Sequence, residues 1–93
     1  KSLIIGIDRI IFPWKHPDVE DLDMNDFEPV FDVNTEVILL GTGTKQVFLD
    51  GHLLTKILKR GVGIEVMDSK SACRTFNLLV SEYRRPLAML MLE

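Results

Sequence analysis

A single cysteine among 93 residues excludes an internal disulfide and any zinc site built from several cysteines. No apolar run is longer than Leu87–Leu92, far short of the roughly 20 residues a membrane helix needs. There is no basic block. Eleven Lys and Arg stand against fourteen Asp and Glu, a formal charge of −3. That balance argues against a nucleic-acid binder held by phosphate contacts. No charged start with an apolar stretch and small-residue cleavage site is visible. Repeats and low-complexity segments are absent too. What is present is a globular mix, 46% apolar and 27% charged. A chain of this length buries roughly 60–65% of its unfolded surface, enough for one modest core.

The chain is read as a single domain, residues 1–93. It opens at Lys1 without a methionine, and we expect a domain truncated at its N-terminus. Leu3–Ile5 and Arg9–Phe12 read as a strand or hairpin, with Gly6 and Asp8 as turn formers and Pro13 as the stop. Residues 14–28 are polar and acidic, and the acidic stretch 18–28 reads as a solvated linker. Asp23 with Asp26 could cap a short helix carrying Phe27, Val30 and Phe31, although Pro29 would clash inside it.

Val37, Ile38, Leu39 and Leu40 lack alternation, the pattern of a strand covered on both faces. Gln46–Leu49 suggests a short extended return. Asp50 then caps a helix with Leu53, Leu54, Ile57 and Leu58 on one face, and Gly61 stops it. Val62, Ile64 and Val66 alternate with polar or small neighbours, a strand. Strand, helix and strand make a βαβ unit with a right-handed crossover. Ser69 opens the strongest helix. Its apolar stripe is Ala72, Cys73, Phe76, Leu79, Val80 and Tyr83. We expect Phe76, Leu79 and Val80 in the core and Cys73 buried and chemically quiet. The expected fold is α/β, with helices packed on a mixed sheet.

Few residues could carry chemistry. Gly41-Thr42-Gly43-Thr44 follows a buried strand and invites a nucleotide reading. The dinucleotide fingerprint needs a third glycine where Gln46 stands, and Lys45 comes too early for a phosphate-binding loop. The plain reading is a tight loop whose glycines allow positive φ or close packing. Asp68 stands at the end of the next parallel strand, on the edge where open α/β sheets bind ligands. Arg74 and the first amides of the following helix share that edge, which would suit an anion. The bland alternative is that Asp68 and Ser69 cap the helix and Arg74 is solvated or paired with Asp68. Cys73 has no histidine near it in sequence, and no serine sits on a nucleophile elbow. His16 and Glu20 have helical spacing but no third ligand, so no metal is expected. The acidic stretch 18–28 lacks the spacing of a calcium loop. No cofactor is expected.

Four segments together carry a resemblance. They are Ile38-Leu-Leu-Gly-Thr-Gly-Thr44, Gly61-Val-Gly-Ile-Glu-Val-Met-Asp68, Ser71-Ala-Cys-Arg-Thr-Phe-Asn77, and Arg84-Arg85 before a final apolar strand. In this order they resemble a family of small α/β domains of unknown biochemical activity. Its members include a mitochondrial assembly factor for respiratory complex I and an adipogenesis-associated domain protein. Pro13-Trp14 fits the bacterial members. The resemblance implies three layers around a mixed sheet, with a small additional β layer at one side. Family members usually begin with a further strand pair before the position of Ser2. No catalytic set carries over. The resemblance implies that Gly41, Thr42, Gly43, Thr44, Asp68, Arg74, Thr75 and Asn77 cluster on one rim. It favours a non-enzymatic interaction domain, assembly-factor-like, with a protein partner. The expected compartment is cytoplasmic for a bacterial chain and mitochondrial for a eukaryotic one. The alternative is a domain, or a minor enzyme, that binds a small polar ligand or anion on the rim.

Overall fold

The computed structural model describes residues 2–11, 19–31, 34–45 and 47–91. Pro13, Trp14, His16 and Gln46 lie outside the described residues. Five strands form one sheet in the order β2-β1-β5-β3-β4. They are β1 (Ser2–Ile5), β2 (Ile10–Ile11), β3 (Val37–Thr42), β4 (Gly63–Met67) and β5 (Pro86–Met91). β3 runs parallel to both β4 and β5, with Leu39 opposite Glu65 on one side and Ala88 on the other. β1 pairs antiparallel with β5 and with β2. The extra β-structure at one side is therefore the β1–β2 hairpin. Among the described residues it continues the same sheet rather than standing apart as a layer.

The unbroken apolar runs explain the two central strands. Side chains alternate between faces, so a strand covered on both must be apolar throughout. On one face Ile38, Leu40, Leu87 and Met89 meet Leu53 and Ile57 of α2 (Gly51–Lys59). On the other Val37, Leu39, Ala88 and Leu90 meet Ala72 of α3 (Ser69–Ser81), with Phe76 and Leu79 packed beside them. Helix, sheet and helix are the expected three layers, and β3-α2-β4 is the expected βαβ unit.

Several expectations need correction. The acidic segment is not a solvated linker. It folds as a 3-10 turn (Val19–Asp21), a short helix α1 (Met24–Phe27) and a second 3-10 turn (Glu28–Val30). Val19, Leu22, Phe27 and Val30 are buried in the α2-side core, while the acidic side chains stay outside. Asp23 and Asp26 cap α1 reciprocally: the Asn25 N–H donates to Asp23 and the Asp23 N–H to Asp26, each at 2.9 Å. Pro29 ends the α-helix at Phe27 and starts the 3-10 turn, where its missing N–H costs nothing. Arg60, at the end of α2, lies 4.1 Å from the Phe31 ring centroid and 2.8 Å from the Glu28 carboxylate.

Residues 47–50 form no strand return. The stripe of α3 is narrower than its apolar letters suggest. Ala72, Phe76 and Leu79 face the sheet, but Cys73 and Val80 stand one residue further on, roughly 100° round the helix, and are exposed. Tyr83 falls beyond the helix end at φ +62° and is 96% exposed. Leu58 is displaced from the face of α2 in the same way and is exposed.

Candidate functional site

Parallel pairing brings the ends of β3 and β4 to one edge, with the end of β5 beside them. Gly41–Thr44 leaves β3 there, and Met67 leads through Asp68 into α3. Ser69, which sequence reasoning treated only as a cap, joins these pieces. Its backbone N–H donates to the Gly43 carbonyl at 2.8 Å. Its hydroxyl oxygen accepts from the Gly43 N–H at 2.8 Å and donates to the Met91 carbonyl at 2.7 Å. One buried serine thus ties the loop, the helix start and the end of β5 together.

The two glycines follow from this closeness. A Cβ on Gly41 would lie 2.8 Å from both Cα and Oγ of Ser69 and 3.0 Å from Leu90 Cδ2. Gly43 turns the chain with φ +88°, a conformation that side chains disfavour. Thr42 Oγ1 closes the loop by donating to the Lys45 carbonyl and accepting from the Val47 N–H at 3.2 Å. Thr44 is exposed at the tip.

Asp68 caps α3, with the Ser71 N–H and the Ser71 hydroxyl each donating to it at 2.8 Å. The backbone bond from Ser71 chiefly holds its carboxyl below the ordinary value of 3.8. The Ser71 hydroxyl and the Arg74 charge add to it against a smaller opposing effect of burial. Arg74 is exposed, with Nη2 at 3.3 Å from Ser71 Oγ. Thr75 is half-buried and directs its hydroxyl at the Met67 sulfur, 3.6 Å away. Asn77 is exposed further along α3.

The structure thus gathers the Gly41–Thr44 loop, Asp68 and Arg74 at one edge. Thr75 packs inward, and Asn77 stands on the outer face of α3. The carboxylate of Asp68 occupies the place at the helix N-terminus where a bound anion would sit. Beside the loop, Val47 is exposed and Phe48 is 85% exposed. Sequence reasoning missed this pair because Gln-Val-Phe-Leu reads as a strand. The signal was an aromatic placed between a glycine loop and a helix cap. Among the described residues, no group of three or more His, Cys, Asp or Glu is placed to hold a metal ion.

Residues 1–91 match the family described as "Protein of unknown function (DUF498/DUF598)". The chain belongs to this family. The DUF498/DUF598 domain is 36% identical over 83 residues to the "13 kDa major membrane protein" of Francisella tularensis, covering 88% of this chain and 68% of that one. It is 46% identical over 55 residues to "NADH dehydrogenase [ubiquinone] 1 alpha subcomplex assembly factor 3" of Danio rerio. That match covers 59% of this chain and only 32% of the fish protein. An NMR structure of a Xanthomonas campestris protein superposes with a TM-score of 0.86 at 37% identity, covering 96% of this chain and 67% of that one. One relative is thus named a membrane protein, while among the described residues no helix is long and apolar enough to cross a membrane.

Proposed function

We propose that this DUF498/DUF598 domain is a non-enzymatic interaction domain of the assembly-factor kind, with the Gly41–Thr44 edge as its contact surface for a protein partner. The observation that carries the reading is how the polar groups of the edge are used. Ser69, Thr42 and Asp68 hold the loop and the helix to each other. A group already engaged in the fold is poorly placed to act as nucleophile or base, since both roles need reach to a reacting atom. What the edge offers outward is Thr44, Arg74 and the apolar pair Val47 and Phe48, with Asn77 further along the outer face of α3. Apolar side chains rimmed by polar ones suit a protein surface better than a small ion. Relatives named as assembly factors add weight to the reading.

The test pairs Phe48→Ser with Arg74→Ala in a cross-linking capture from the cell of origin. Both side chains are exposed, so each variant should keep stability within ~0.5 kcal/mol. A specific partner captured by the parent chain and lost in the variants supports the reading. Unchanged capture by both would remove the edge from consideration. Arg74→Ala unfolding strongly would show that residue to be structural.

A further inference from the structure

The fold uses only half of the apolar stripe of α3. Ala72 and Leu79 turn to the sheet, with Phe76 half-buried beside them. Cys73 and Val80 are exposed, and Tyr83 stands exposed at the foot of the helix. Cys73, Phe76, Val80 and Tyr83 follow at steps of three, four and three, the spacing of a coiled-coil seam. Thr75 fixes which side of the helix carries this seam. Its hydroxyl lies 3.6 Å from the Met67 sulfur, so that flank faces β4. Cys73 and Val80 stand roughly 140–160° round the helix from Thr75 and therefore face the β1 side. There β1 and β2 continue the sheet past α3. Leu3 and Ile5 sit opposite Leu90 and Ala88 of the α3-side core and share that face, as does Ile10 opposite Ile5. Leu3 and Ile5 are half-buried, and Ile10 is 70% exposed. Helix seam and strand face meet as an apolar shelf. We propose that this shelf receives an amphipathic helix of another protein, one whose apolar seam is flanked by acidic residues.

Size selects a helix as the occupant. From Cys73 to Tyr83 the seam runs about 15 Å, and two strands beside it add about 10 Å of width. One helix with its side chains is about 10–12 Å across. A stable dimer needs about 800 Å² on each partner, well beyond such a strip. Charge selects the rim of the incoming helix. Lys70, Asn77 and Arg84 run along the outer side of the seam at seven-residue intervals, and all three are exposed. These are the flanking positions that set partner choice between paired helices. Acidic residues on the incoming helix would meet Lys70 and also Arg84, whose Nε lies 3.5 Å from Glu36. A second copy of α3 laid antiparallel on the seam would set Lys70 against Arg84 instead, cation against cation. Tyr83 is consistent with a contact role. It holds φ +62°, which a bulky residue adopts only at a cost, while its ring is left in solvent. Tyrosines placed in this way commonly anchor interfaces. The shelf lies on the β1 side of α3, and the proposal does not depend on the Gly41–Thr44 edge.

The experiment is an amide NMR titration of the nitrogen-15-labelled chain with two model peptides of about 14 residues, four helical turns. Both carry leucine along a heptad seam. One has glutamate at the flanking positions and the other lysine. The expected result is saturable shifts at Leu3, Ile5, Cys73 and Val80 with the glutamate peptide, while Gly43 and Asp68 stay unmoved. The lysine peptide should bind about tenfold more weakly. Val80→Glu, which sets a carboxylate in the apolar contact, should weaken the glutamate peptide about tenfold or more. Lys70→Glu should narrow or reverse the preference between the peptides, a change that a merely structural role would not produce. Phe48→Ser should leave binding as it is, which separates this surface from the loop edge. Shifts that fail to saturate or that scatter over the surface would overturn the proposal, as would equal affinity for the two peptides. So would binding that survives Val80→Glu in folded protein. A dimer in sedimentation equilibrium that Val80→Glu abolishes would give the face to a second copy and overturn it too.

Discussion

Replacing Gly41 by alanine adds one methyl group to the most crowded point of the sheet edge. The new Cβ would stand 2.8 Å from Ser69 Cα and Oγ and 3.0 Å from Leu90 Cδ2. Two of these neighbours cannot yield cheaply. The Cα belongs to the first residue of α3, and the Oγ is bonded to Gly43 and Met91. Relief requires α3 to lift from β3 or the serine bonds to stretch. Overpacking of this kind costs about 1–3 kcal/mol, and stranding a buried polar group adds about 1–3 kcal/mol. We therefore expect Gly41→Ala to lose about 2–6 kcal/mol, a large share of a small domain's stability. Urea denaturation with an unchanged m-value measures it. Gly51→Ala is the internal control. It lies at the start of α2 with nothing within 4 Å of an added Cβ. That change should stabilise by about 0.4–1 kcal/mol by restricting the unfolded chain. The pair Gly41→Ala and Ser69→Ala should be non-additive, because the first substitution already displaces the hydroxyl that the second removes. A Gly41→Ala loss below about 0.5 kcal/mol, within the range of surface changes, would refute the packing account and leave the glycine open to a ligand-binding explanation.

Tyr83 holds the left-handed position after α3, where helices usually place glycine, so Tyr83→Gly should raise stability by about 1 kcal/mol in the same assay. Cys73 is exposed, so a thiol reagent should label the native protein rapidly and stoichiometrically, and protection until denaturant is added would contradict its position. Asp68 has its folded-state pKa depressed, so its cap contributes stability that is present above 3.8 and lost as pH falls through the lowered value. Acid titration of stability should flatten over that window in Asp68→Asn, and an unchanged slope would show that the cap bonds carry no pH dependence.

Periodicity made much of the fold legible. Val37–Leu40 reads as a doubly covered strand and Leu87–Leu92 as a strand interior to the sheet, because an unbroken apolar run suits a strand with both faces buried. Asp50, Gly61 and Asp68 marked helix ends through their capping chemistry. The failures have physical causes. An apolar residue at the margin of a helix stripe is buried only if the neighbouring layer is wide enough. α3 meets the sheet along Ala72, Phe76 and Leu79, which leaves Cys73 and Val80 in solvent. The acidic stretch 18–28 reads as solvated because acidic letters outnumber the few apolar ones that anchor it, Val19, Leu22 and Phe27, while the short helix capped by Asp23 and Asp26 is legible in its spacing and present in the fold. The edge was legible as topology, since parallel strands must end together. The role of Ser69 was not, because its partners Gly43 and Met91 lie 26 and 22 residues away.

The position of β5 also governs the order in which this chain can fold. Among the described residues it is the last strand in sequence but lies inside the sheet, between β1 and β3. Among the described residues β1 joins β3 and β4 only through it, Leu3 opposite Leu90 and Ile4 opposite Met89. A chain emerging from the ribosome as far as α3 holds β3 and β4 as a pair, with β1 and its hairpin partner unattached. Each face of the core lacks the Leu87, Met89, Ala88 or Leu90 side chains that fill its centre. Closure waits for the final strand, which must insert between two edges that are far apart in sequence, a contact pattern that slows folding. Until it does, the open edge of β3 and the apolar faces on both sides are the surfaces at risk of aggregation.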